Sequence, residues 1–257
     1  MLKESDFKKI CDNPLYIRYI ENPDEQLIFE ALKKNGMAIR YVQNQSFDMK
    51  KLAIENNPLS IEYIEDLDEE LAIFSVKALW NSLKYIKNPS EKVIKEAVET
   101  KGWAIQFVEN PSEEIQLLAV TKDYDAIKYI KNPSEEVQLA AINNYWGAIR
   151  FIENPSLEVR KKAVKEDEEA INYISYDIDE LKILISENIN IVKYVYDSID
   201  VENVVDVLID KVKTNKVDEK YIKDFLELEI LEMDKINFIR EYGSKKAKIL
   251  LVDYKLS

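Results

Sequence analysis

The side chains of this protein that could do chemistry are carboxylates, cations and aromatic rings, because the chain has no histidine and a single cysteine, Cys11. Histidine is the usual proton carrier near neutral pH and the commonest metal ligand, so Ser-His-Asp, Cys-His and His-ligated zinc sites are excluded. The 49 carboxylates could in principle supply an acid–base pair, but no spacing singles out one pair. There is no G-x-x-x-x-G-K-[ST] phosphate loop, no G-x-G-x-x-G and no D-x-D-x-D-G metal loop. The residues therefore read as those of a non-enzymatic protein with no metal and no cofactor.

Three sets of side chains have chemistry suited to binding. Trp80, Trp103 and Trp146, with Tyr124 and Tyr145, recur at similar intervals. Exposed, they would form an aromatic ridge of the kind that dominates protein interfaces; folded back, they would cover small residues of a neighbouring element. Arg40, Lys84, Lys128 and Arg150 belong to a column of nine residues of which six are basic. It reads either as a stripe that meets an acidic or phosphate-bearing partner or as solvated cations paired with glutamates three residues on, such as Glu109 and Glu153. The third set is acidic: from Lys165 to Asp200 ten carboxylates, among them Glu166, Asp167, Glu168, Glu169, Asp177, Asp179 and Glu180, face three lysines, a net −7. It reads as an imitation of a nucleic-acid phosphate field or as a solubilising face.

The elements that carry these residues follow from an internal repeat. Asn22, Asn44, Asp66, Asn88, Asn110, Asn132 and Asn154 are spaced by 22 residues, and each begins a unit whose positions are counted from 0. A period of that length signals stacked supersecondary units. Five of the seven prolines fall at position 1 and the other two at position 14, while Gly36 and Gly102 also fall at position 14. Two breaker sites per unit mean two helices per repeat. In "NPSE" the spacing predicts Asn as the N-cap, Pro at N1 and Glu at N3 of the first helix, and apolar residues at positions 5, 9 and 10 give that helix one buried face. The second helix ("AIRYV", "AIQFV", "AIKYI") carries an aromatic at position 19 from Tyr19 to Tyr173, which reads as packing between neighbours. The cations occupy position 18 and the tryptophans lie at positions 14 and 15, in the turn between the helices.

The stretch "NPSEEVQLAAINNYWGAIRFIENPS" resembles the short tandem repeat of a domain of unknown function that occurs in arrays in bacterial and viral proteins, and the likeness covers roughly Leu15 to Val195. The resemblance implies an all-helical array and supplies no activity and no catalytic residues. After Asn154 the register slips by one, with Asp177 and Glu180 as a cap pair, and beyond Asp197 the pattern fades into helical sequence. The expected architecture is an all-α solenoid of about eight to nine repeats over residues 1–196, with a degenerate helical cap over residues 197–257.

The charge balance of 36 basic against 49 acidic residues, −13 in all, opposes direct attraction to nucleic acid. A lone cysteine and no secretory hydrophobic region point to a reducing, cytoplasmic setting. No run of about 18 apolar residues is present to span a membrane. The functional expectation is a protein-binding scaffold, with a narrower version in which the acidic face inhibits a nucleic-acid-binding host or defence protein. The alternative is a binder of a small anionic ligand such as a nucleotide. Oligomeric state is left open.

Overall fold

The computed structural model describes residues 2–256 of the chain. Its elements are helical, and no strand occurs among the described residues. The α-helices are α1 (Leu2–Asp12), α2 (Glu25–Lys34), α3 (Phe47–Asn56), α4 (Glu69–Ala78), α5 (Glu91–Thr100), α6 (Glu113–Lys122), α7 (Glu135–Asn144), α8 (Leu157–Glu166), α9 (Ile178–Glu187), α10 (Val192–Val195), α11 (Val201–Lys213), α12 (Glu219–Glu227), α13 (Lys235–Tyr242) and α14 (Lys245–Leu256). Each helix from α1 to α8 is followed by a six-residue 3-10 helix, the first being Pro14–Tyr19 and the last Glu168–Tyr173. The fold class is the all-α repeat solenoid.

Two compact units divide the chain, Met1–Pro133 and Ser134–Ser257. In the first, each α-helix from α1 to α5 packs on the next, and each 3-10 helix packs on the next 3-10 helix, so the repeats stack as two parallel layers. In the second, α7, α8 and α9 stack in the same way and α11 packs on α9. Helices α12, α13 and α14 pack on one another behind α11. Tyr221 of α12 is buried there and donates its hydroxyl to the Ile185 carbonyl at 3.2 Å.

The core consists of repeated columns. Ala31, Ala53, Ala97, Ala119, Ala141 and Ala163 at position 9 are fully buried, as are their position-10 neighbours such as Ile54, Val98 and Val164. Small side chains at position 9 and at position 16 let adjacent elements approach closely. At Gly36 the approach is so close that a Cβ would collide with the Ala53 carbonyl of the next repeat, and the Gly36 N–H donates to Asn56 Oδ1 at 2.6 Å.

The start of each first helix differs from the expectation. Asn is not the N-cap: Asn22, Asp66, Asn88, Asn110, Asn132 and Asn154 have φ between 48° and 51°. The chain reverses there between the 3-10 helix and the next α-helix, and Asn and Asp tolerate the left-handed region best among residues with a side chain. The cap is the residue two places later, as when Ser134 Oγ accepts from Val137 N–H at 3.3 Å and Asp24 Oδ1 accepts from Leu27 N–H at 3.0 Å. Glu is therefore at N1 rather than N3. There it reaches the following repeat: Ser90 Oγ donates to Glu69 Oε1, and Ser156 Oγ to Glu135 Oε2, both at 2.5 Å. The expected Asp177–Glu180 capping box is present on α9.

The second helix also changes the reading of the aromatic column. A 3-10 helix has three residues per turn, so positions 14, 17 and 20 share one face and position 17 points inward. Ile39, Ile61, Leu83, Ile105, Ile127, Ile149 and Ile171 at position 17 are all buried. Position 19 falls on the flank instead. Tyr19 is 63% exposed, Phe151 39% and Tyr173 47%, and the other rings of the column are half-buried. The column expected to pack between neighbours does so in part: Tyr41 and Tyr63 lie against the core, while Tyr19, Phe151 and Tyr173 are exposed.

Candidate binding surface

On the flank of the 3-10 helices, the position-19 rings sit beside the position-18 cations. In the first unit the Arg18 guanidinium lies 4.5 Å from the Tyr19 ring centroid, and Lys84 lies 4.4 Å from that of Tyr85. Arg40 lies 5.1 Å from Tyr41 and 4.9 Å from Tyr63 of the next repeat. Lys128 covers Tyr129 at 5.0 Å and Trp103 of the preceding repeat at 4.6 Å. In the second unit Arg150 lies 5.8 Å from Trp146 and 5.3 Å from Tyr173. A cation over an aromatic face at an exposed site contributes about 0.5–1 kcal/mol, so these contacts join adjacent repeats as well as shaping the surface.

The turn aromatics fold onto the following repeat and belong to this same surface. Trp80 stacks on Phe107 at 6.0 Å and 24°, and Trp146 meets Tyr173 at 6.4 Å and 40°. Tyr145, 39% exposed, lies 5.5 Å from Trp146, and Tyr124 is half-buried. Trp103 donates its indole N–H to Asp125 Oδ1 at 2.6 Å, while Lys128 Nζ bonds Asp125 Oδ2 at 2.9 Å. Burial opposes ionisation of Asp125, yet the Trp103 N–H and the Lys128 ammonium hold its carboxyl below the usual aspartate range. The same pair raises Lys128. The Asp125 carboxylate that pairs with Lys128 lies three residues before it, where position 21 of this repeat is Lys131.

Asp125 was missed in the sequence, although a signal for it existed. Trp103 and Asp125 share position 15 in successive repeats, and Lys101 and Asp123 share position 13, where they form a 2.6 Å ion pair. Stacking at a constant period makes residues 22 apart into neighbours. Gln45 is another residue that sequence reasoning passed over. It stands at position 1, where most units have proline, and Asn44 before it is absent from the left-handed set. Gln45 Nε2 donates to the carbonyls of Ile39 (3.3 Å), Val42 (3.4 Å) and Tyr63 (2.9 Å), and its Oε1 accepts from Glu65 N–H at 3.2 Å.

The acidic segment is not one open field. Glu166 pairs with Lys162 at 2.6 Å and Glu168 with Lys193 at 3.5 Å. Asp167 Oδ1 accepts from Glu169 N–H at 2.9 Å at the start of a 3-10 helix, and Asp177 caps α9. Glu180 takes both Arg160 terminal nitrogens, at 2.8 and 2.6 Å, and that guanidinium holds its carboxyl below the ordinary range. Glu169 and Asp179 are exposed.

Two open grooves of about 860 and 840 Å³ border the position-18 and position-19 side chains of the first unit. The larger brings together Arg40, Tyr63, Tyr85 and Lys87, with carboxylates such as Glu65 and Glu69 on its walls. Among the described residues no group of three His, Cys, Asp or Glu side chains is arranged to hold a metal ion, and no helix is long and apolar enough to cross a membrane. Comparison with family models, with curated proteins and with solved structures finds no match to this chain.

Proposed function

We propose that the protein is a non-enzymatic scaffold that grips a protein partner by the rings and cations on the 3-10 helices of its first unit. The observation that carries this reading is the set of partly exposed rings on the flank of the 3-10 helices of the first unit, with Arg18, Arg40, Lys84 and Lys128 laid across them. Aromatic and arginine side chains held rigid on a surface are the residue types that anchor protein interfaces. Cations set into a chain of net charge −13 favour a partner face that carries carboxylates among apolar groups. The carboxylates of Glu166 to Glu180 support an acidic mimic of nucleic acid less well, because most of them are already engaged within the fold.

A small anionic ligand is a second reading. It draws on Arg40 and Lys87 in the larger groove, but the carboxylates on the same walls oppose an anion. Capture of partners from a cell lysate, quantified by mass spectrometry, separates these readings. Arg40→Glu with Lys84→Glu should remove the captured protein, while Glu169→Lys with Asp179→Lys should leave it. Loss in the second variant alone would move the site to the acidic segment. A thermal shift of the wild-type protein with nucleotides would favour the groove, since a ligand bound only to the folded state raises its stability.

A further inference from the structure

In the units that begin at Asn22 to Asn154, positions 9 and 16 are alanine at all but three places, and the exceptions, Ser60, Ser75 and Ser82, follow one another directly. They stand on the 3-10 helix Pro58–Tyr63, on α4 and on the 3-10 helix Trp80–Tyr85, three elements that pack on one another. All three serines are buried, at 0% exposure. Ser75 Oγ donates to the Pro58 carbonyl at 3.2 Å and Ser82 Oγ to the Leu79 carbonyl at 2.7 Å. Ser60 Oγ has no hydrogen-bond partner among the described residues. A buried hydroxyl left unpaired forfeits its bonds to water, whereas Ala38 and Ala104 at the same position bury no polar side-chain atom.

The polar clamps that join neighbouring repeats elsewhere in the first unit are missing at this boundary. Where α2 meets α3, Asn56 accepts from Gly36 N–H at 2.6 Å and donates to the Lys33 carbonyl at 2.8 Å. Where α5 meets α6, Asp123 accepts from Gly102 N–H at 2.7 Å and pairs with Lys101 at 2.6 Å. Between α4 and α5, Lys77 pairs with Glu96 at 3.1 Å. Between α3 and α4 the residue equivalent to Gly36 is Pro58, which has no N–H to give, and the residues equivalent to Asn56 and Asp123 are Ala78 and Leu79. Among the described residues, the side-chain hydrogen bonds that cross this boundary are that of Ser75 and one from Lys50 Nζ to the Asp66 carbonyl at 3.1 Å.

A repeat array is held together by its nearest-neighbour interfaces, so it opens first at the weakest of them, and the detached piece opens cooperatively. We infer that the first unit carries a built-in opening point between α3 and α4, at which the residues up to Tyr63 detach together from α4 to α6. The larger groove draws Arg40, Gln45 and Tyr63 from one side of that boundary and Glu69, Tyr85 and Lys87 from the other, so it is complete only while the boundary is closed. Opening therefore dismantles the groove, and the inference does not depend on what the groove holds.

Native-state hydrogen exchange of the full chain, read by mass spectrometry on peptides from each helix, tests it. Amides of α2 and α3 should share one opening equilibrium, and those of α5 and α6 should be protected more strongly, with a step at α4. Ser60→Ala should slow exchange in α2 and α3 by about tenfold or more and leave α5 and α6 as in the parent. Ser82→Ala should change little, because that hydroxyl already has an acceptor within its own turn. Protection that declines gradually from α5 to α1 would be fraying from the chain end and overturns the inference. So do equal protection on both sides of the boundary, or a Ser60→Ala variant that exchanges like the parent.

Discussion

At the scale of single residues, the contacts that matter most are polar side chains that tie one repeat to the next. Gln45 satisfies three carbonyls and one N–H belonging to two repeats. Gln45→Ala removes its side chain from groups that are partly shielded from water and should cost about 1–3 kcal/mol, read as a lower urea midpoint with unchanged slope. A loss below about 0.3 kcal/mol would show that water replaces the amide without penalty. Asp125 makes a pH-dependent contribution whose sign is determined by its lowered pKa. A carboxyl held below its unfolded value of 3.8 adds stability that is present above that value and is lost as pH falls through the folded value. Asp125→Asn should therefore be less stable than the parent at pH 7 by about 1 kcal/mol, and the gap should close in acid. A gap that persisted at pH 2 would mean that the charge of Asp125 is not what stabilises the Trp103–Lys128 contact.

At the scale of elements, the choice between α and 3-10 winding decides which residues are inside. Three residues per turn line Ile105 up with Gly102 on the inward face and leave Phe107 on the flank, half-buried beneath Trp80. Ile105→Ala should cost about 2–5 kcal/mol, and Phe107→Ala distinctly less, with chemical denaturation as the measure. Equal losses would argue for an aromatic core after all. The turn before each first helix offers a second contrast. Asn88 has φ 48°, and Ser90 Oγ accepts from Val93 N–H at 3.4 Å. Asn88→Gly should leave stability nearly unchanged, Asn88→Val should cost about 1–2 kcal/mol for left-handed strain, and Ser90→Ala about 1 kcal/mol for the lost cap. If Asn88→Gly were as damaging as Ser90→Ala, the capping role would belong to Asn. The breakers were readable as helix starts, but which of Asn, Pro and Ser holds the cap was not. The answer depends on the direction from which the preceding 3-10 helix delivers the chain.

At the scale of the whole molecule, a repeat array is stabilised by nearest-neighbour interfaces and has no single central core. Position columns therefore predict which deletions are tolerated. Removing residues 88–109 joins Lys87 to Asn110 in phase and should leave a cooperatively folded chain one repeat shorter, with the same mean helicity by circular dichroism. Removing residues 88–98, half a period, should not fold, because it brings a first helix against the layer of 3-10 helices. Folding of both, or of neither, would contradict register as the organising feature. The ridge across the first unit follows from the same stacking: residues 22 apart become neighbours, so a variable position becomes a continuous line of side chains.

What the sequence determined by itself is the period, the two breaker sites within it and the apolar columns at positions 5, 9, 10 and 17, because these follow from local turn chemistry and from the need of each hairpin to bury one face on its neighbours. The tertiary structure decided the winding of the second helix and how far each ring of the aromatic column is covered by its neighbours. It also decided the pairing of Trp103 with Asp125 and of Arg40 with Tyr63, and the engagement of most of the acidic segment in caps and ion pairs. These contacts cross from one repeat to the next. A pattern along the chain states which residue types recur, but only the stacking distance and rotation between repeats decide which of them meet.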